Sequence, residues 1–116
     1  MKLPHIIAVK ASETDMVILE IEISPQLEAF CGHFPNNPIL SGVAQIDWVV
    51  RFAVMHFGVA VAVARNFQVK FRNIIRPQMP IALTLKVDRA RNKLSFVYQS
   101  GTEIMSSGKM TLEAMT

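Results

Sequence analysis

Between Ser41 and Gly58 the chain carries a segment suited to a helix but unsuited to exposure on any side. Ser41 stands where a helix N-cap belongs and Gly58 where a helix ends. Over the turns between them, Val43, Ile46, Trp48, Val49, Val50, Phe52, Val54, Met55 and Phe57 go nearly all the way round instead of forming one stripe. A helix of that kind must be buried on every side. A bilayer would satisfy it, but Asp47 and Arg51 near its middle would cost about 2.5–3.5 kcal/mol each there. The remaining cover is a sheet curled around the helix.

The flanking sequence supplies such a sheet. Val17, Leu19, Ile21 and Ile23 alternate with Glu20 and Glu22, the period of a strand with one face on a core. Residues 5–10 are a weaker strand candidate, and residues 12–15 (SETD) make the turn between the two. Residues 25–30 suit one short helical turn. In residues 31–40, Pro35 and Pro38 bracket Asn36 and Asn37, so neither helix nor ladder can run through. Beyond the helix, residues 60–72 are expected to form a long strand with Val61, Val63, Phe67, Val69 and Phe71 on one face. Residues 81–88, 94–99 and 103–113 follow on short turns, an antiparallel meander. The expected class is α+β, a curved antiparallel sheet wrapped around one central helix.

With 116 residues the chain is one domain, residues 1–116, without linkers or repeats. Its apolar fraction of 51% is more than so small a monomer hides, and an open sheet leaves edges to pair. Both features point to a homodimer, or to a dimer of dimers. One cysteine, Cys31, excludes an internal disulfide framework and a thiolate zinc cluster. The start of the chain has no targeting signal, so a cytoplasmic location is the default. A net charge of +3 is too mild to demand nucleic acid.

Three positions are candidates for chemistry. Asp47 lies inside the apolar helix, where an unpaired charge would be costly; a plain ion pair with Arg51 at i, i+4 is the structural alternative. His33 sits in the Gly/Pro-rich loop before the helix, either poised for proton transfer or simply exposed. Gly42 follows the cap, so its N–H is one of the donors a helix leaves unused, and a glycine admits close approach of a ligand; a tight junction would need the same residue.

The run CGHFPNNPILSGVAQID, residues 31–47, resembles the signature of the hot-dog-fold beta-hydroxyacyl-acyl carrier protein dehydratases. In that family G-H-F-P-x-x-P, two apolar residues and P-G-V lead into the central helix, and a Glu or Asp follows the histidine by fourteen positions. His33 and Asp47 have that spacing. The wording is most similar to the small dehydratases of aryl polyene clusters. VKFRNIIRPQMPIALTL, residues 69–85, resembles the family's strand-loop-strand more loosely. Ser41 replaces the usual proline, and Gln78-Met79-Pro80 the usual P-G-D turn.

The resemblance implies a hot-dog fold and dehydration of 3-hydroxyacyl-carrier-protein thioesters to trans-2-enoyl thioesters, in fatty acid or polyene-type biosynthesis. It implies His33 as base, the Gly42 N–H as oxyanion donor and a protonated Asp47 as acid, with His33 of one subunit meeting Asp47 of the other. No metal or organic cofactor is needed. Phe34, Pro38, Phe67, Val69, Phe71 and Arg72 are the expected substrate contacts. The basic stretch of residues 65–93, acidic only at Asp88, reads as a docking patch for an acidic acyl carrier protein or as a solvated face. A thioesterase and a non-catalytic acyl-binding subunit are the alternatives.

Overall fold

The structure is a computed structural model that describes residues 3–25, 39–59 and 63–113. The order of elements is β1 (His5–Glu13), β2 (Met16–Glu22), α1 (Gly42–Phe57), β3 (Val63–Phe71), β4 (Pro80–Asp88), β5 (Lys93–Ser100) and β6 (Glu103–Glu113). The strands form one antiparallel sheet in the order β1-β2-β4-β5-β6-β3. This is the expected hot-dog arrangement. The helical turn expected at residues 25–30, and the loop of residues 31–38, lie outside the described residues but for Pro25.

The alternating strands place their apolar residues as their period requires. Val17, Leu19 and Ile21 from β2 line the inner face with Ile81, Leu83 and Leu85 from β4, and with Leu94, Phe96 and Tyr98 from β5. Trp48, Val49, Phe52 and Ala53 of α1 fill the concavity. Each large side chain fully buried there contributes about 1.5–3 kcal/mol. Among the described residues no helix is long and apolar enough to cross a membrane.

Two expectations are corrected. The helix is not covered on every side by the described residues of one chain. Val43, Arg51, Val54 and Met55 form a stripe at helical spacing that the sheet does not reach, with Val43 76% and Met55 61% exposed, and Val50 lies partly buried at its edge. One six-stranded sheet curls around one side of a helix only. The alternation through residues 61–71 is also interrupted. Asn66, at φ 56°, and Phe67 together oppose one residue of β6, a β-bulge between Arg65 and Gln68. Asparagine tolerates that conformation better than other non-glycine residues. The bulge changes the parity, so Ala64, Val69 and Phe71 share the face of Leu112, Gly108 and Ser106, whereas Arg65, Gln68 and Lys70 take the other. Gly108 fits this bend: a Cβ there would lie 2.6 Å from the Gln68 carbonyl oxygen and 3.0 Å from the Phe96 ring.

Candidate active site

The start of α1 is built from its cap. Ser41 is extended (φ −67°, ψ 155°) and its Oγ accepts the Ala44 N–H at 3.1 Å. The serine that replaces a proline therefore caps the helix. The first intrahelical bond runs from Gln45 N–H to Ser41 O at 3.1 Å. The Gly42 and Val43 N–H groups precede it and have no intrahelical acceptor, at the positive end of the helix dipole. The Phe71 ring lies over this turn: a Cβ on Gly42 would come within 2.6 Å of Phe71 Cζ. Two of the expected site residues, one at the helix start and one on the edge strand β3, are thus brought together.

Asp47 belongs to the uncovered stripe. Its side chain stays 40% exposed, and its Oδ2 is 3.6 Å from Arg51 Nη1, the i, i+4 pair weighed from the sequence. That Oδ2 atom is shielded from solvent and accepts no hydrogen bond among the described residues. Among the described residues the apolar burial expected around Asp47 is therefore not completed, because the stripe it sits on is open. His33, Phe34 and Pro38 lie outside the described residues.

The remaining expected contacts separate. Val69 packs partly buried against the core margin. Phe67, in the bulge, is 47% exposed, and Arg72 lies on the outer face of the sheet, away from Gly42. Arg72 lines a shallow outer groove of about 530 Å³ with Gln68, Lys70, Val97 and Lys109. The basic stretch divides likewise. Arg65 pairs with Glu113 at 3.2 Å, Arg91 with Asp88 at 3.9 Å and Arg89 with Asp15 at 2.9 Å. Arg89 also donates from Nη2 to the Phe57 carbonyl at 2.9 Å, at the helix C-terminus that Gly58 caps. Lys70, Lys86, Lys93 and Lys109 are aligned by register on the outer face.

Sequence reasoning missed a buried polar group behind the site. Gln45 Nε2 donates to Leu40 O at 3.2 Å, Ser106 Oγ donates to Gln45 Oε1 at 2.6 Å, and Tyr98 Oη donates to the Gln45 carbonyl at 2.7 Å. Burial, and secondarily the Asp47 carboxylate, hold the Tyr98 phenol well above its ordinary range. Gln45 was visible as a polar residue in an apolar helix; Ser106, sixty-one residues away, carried no signal of its own. Among the described residues no group of three or more His, Cys, Asp or Glu side chains is arranged to hold a metal ion.

Comparison with known proteins adds a second line of support. A family model described as ApeI-like, the ApeI dehydratase, matches residues 9–109. A curated relative, the 3-hydroxyacyl-(acyl-carrier-protein) dehydratase FabZ of Helicobacter hepaticus, is 33% identical over 100 residues, covering 75% of this chain and 57% of that enzyme. The chain thus spans a little over half the length of that relative. Among solved structures, the dehydratase heterocomplex ApeI:P from Xenorhabdus doucetiae has a chain that superposes with a TM-score of 0.84 at 32% identity, covering 97% of this chain and 98% of that one. An uncharacterised protein from Erwinia carotovora subsp. atroseptica gives 0.77 at 29% identity over 98% of both chains. Zebrafish thioesterase superfamily member 2, at 15% identity and a TM-score of 0.65 over 90% of this chain and 78% of its own, shares the fold.

Proposed function

The chain belongs to the ApeI-like dehydratase family, and from that premise we propose that it dehydrates 3-hydroxyacyl thioesters presented by an acyl carrier protein, giving trans-2-enoyl thioesters. The observation that carries the reading is the Gly42 N–H at the start of a Ser41-capped helix, with Phe71 against it and Asp47 on the open stripe of the same helix. His33 takes the proton from C2. The electron pair moves onto the thioester oxygen, which the Gly42 N–H and the helix dipole stabilise. The pair then returns to form the C2–C3 double bond as the C3–O bond breaks, and Asp47 gives its proton to the departing hydroxyl, which leaves as water. Solvent exchange returns a proton to Asp47 and removes one from His33.

A second protomer completes this site. It covers the stripe around Asp47, excludes water there and brings its own His33, so that the dimer is the catalytic unit. The similar dehydratase from Xenorhabdus doucetiae is a heterocomplex, which favours a second reading of the assembly: the covering subunit is a different hot-dog chain. The thioesterase alternative rests on shared fold alone, and fold does not fix chemistry.

Purified protein incubated with a panel of 3-hydroxyacyl-carrier-protein substrates should yield products lighter by one water in the mass spectrum. His33→Ala and Asp47→Asn should each lower turnover at least about 100-fold, and mixing the two variants should restore part of it. Full activity in either single variant would refute the mechanism. Activity only after adding a second chain would select the heterocomplex reading. The carrier is proposed to dock on the outer cations Lys70, Arg72 and Lys109. Raising salt from 0.1 M to 1 M shortens the Debye length from about 10 Å to about 3 Å. Activity on carrier-bound substrate should fall accordingly, and activity on a short pantetheine thioester should stay level; equal sensitivity would assign the basic face to solvation alone.

A further inference from the structure

Among the described residues, Gln45 and Ser106 are the buried polar side chains outside the aromatic set, in a core otherwise filled by apolar groups. An apolar pair could fill the same space, and buried polar groups are tolerated only when paired. Their partners lie at the entrance to α1. Gln45 Nε2 holds the carbonyl of Leu40, the residue before the cap, and the Leu40 N–H donates to Ile75 O at 2.9 Å. Both backbone polar groups of Leu40 are therefore fixed, two residues ahead of Gly42. Ser106, which anchors the other end of the Gln45 amide, is the register partner of Phe71, and Phe71 lies on Gly42. Contacts and chain connections thus form a closed ring through Leu40, Ser41, Gly42, Phe71, Ser106 and Gln45.

The chemistry of the ring selects an amide. The side chain at position 45 must accept from the Ser106 hydroxyl and donate to the Leu40 carbonyl at once. An ionised carboxylate has no proton to give Leu40, and a thioether does neither. Releasing the Leu40 carbonyl frees the peptide plane leading into Ser41, and with it the direction of the Gly42 N–H.

We propose that Gln45, anchored by Ser106, is a positioning residue for the dehydration, fixing the peptide planes that enter α1 so that the Gly42 N–H meets the developing thioester oxyanion. The proposal rests on the reading of Gly42 as the oxyanion donor. Charge on that oxygen grows only as the C2 proton leaves, so a misdirected donor lowers kcat more than it raises KM.

The test uses the full chain carrying Gln45→Met, Gln45→Glu or Ser106→Ala, in whichever assembly is active. With a 3-hydroxyacyl pantetheine thioester, Gln45→Met should lower kcat about 10- to 100-fold and leave KM within about threefold. Gln45→Glu should not rescue it at a pH high enough to ionise the buried glutamate, and Ser106→Ala should fall between Gln45→Met and the unsubstituted protein. Amide hydrogen exchange on the same proteins supplies a readout independent of turnover: residues 40–45 should exchange about tenfold faster, and the distal half of α1 should be unchanged. Unsubstituted kcat in Gln45→Met, or equal acceleration along the whole helix, would overturn the proposal. If the unsubstituted protein turns over no substrate, the dehydratase reading fails, and unaltered exchange at the junction would overturn the positioning role separately. If Gln45→Met does not fold, Ser106→Ala decides by the same two measurements.

Discussion

The two sides of α1 are made of similar residues and have different fates. On one side Trp48, Phe52 and Ala53 are sealed against the sheet, with the Gln45 amide satisfied among them. On the other, Val43, Val54 and Met55 stand exposed around the Asp47–Arg51 pair. The first side is committed to this chain's own stability. The second carries the same apolar character with nothing among the described residues to cover it, together with the carboxyl proposed for catalysis. Apolar residues on a helix therefore report that a surface gets buried, without saying by which chain.

Substitutions on the two sides should separate these roles. The largest effect is expected on the sealed side: Trp48→Ala should destabilise the protein by about 3–5 kcal/mol in urea unfolding, at any protein concentration. Val54→Asp with Met55→Asp should act through assembly, raising the dissociation constant at least about 100-fold, or about 2.7 kcal/mol, by sedimentation. A protein that stays associated with both aspartates in place would show that the stripe is not an interface.

Tyr98→Phe should cost about 1 kcal/mol by removing a buried hydrogen bond to the Gln45 carbonyl. It also carries a pH signature. Because the folded phenol titrates above its ordinary value of 10.0, the unfolded chain loses that proton first. The stability that the neutral phenol contributes is full below about pH 10 and is lost as pH rises through the folded value. Urea midpoints should fall above that pH, and the fall should be shallower in Tyr98→Phe. The smallest effect belongs to the open side: in the dissociated chain a double-mutant cycle on Asp47 and Arg51 should give a coupling of about 0.3–0.5 kcal/mol, as for a solvent-screened i, i+4 pair. A coupling of several kcal/mol in the assembled protein would mean that the pair is desolvated there.

The same contrast explains what could be read before the fold was known. β2 and β4 were legible because each keeps strict alternation with one face on the core. The ends of α1 were legible in Ser41 and Gly58, whose side-chain and backbone chemistry act locally. The bulge in β3 was not, because Asn66 at a positive φ looks in sequence like any polar residue of a strand, and its effect is to reverse the faces of everything beyond it. Gly42 and Asp47 were legible as site candidates through their place relative to a cap and an apolar helix. What the bulge changes is that Ala64, an even position, shares a face with Val69 and Phe71, whereas Phe71 and Arg72 take opposite faces by ordinary alternation. The Gln45–Ser106 hydrogen bond spans the chain from α1 to β6 and exists only once both elements are folded.

Arg89 joins the Phe57 carbonyl and the Asp15 carboxylate, tying the last turn of α1 to the turn between β1 and β2. The first turn is held at the other end through Leu40 and Ile75. A rod of sixteen residues, roughly 24 Å long, is in this way pinned at one end to the β3–β4 connection and at the other to the β1–β2 turn. Sliding by a single turn, or rotating to show a different row of side chains, would break one pin or the other. Whatever lies across the open stripe therefore meets Asp47 at a fixed height and azimuth, so that the helix serves as a gauge against which a second surface is aligned.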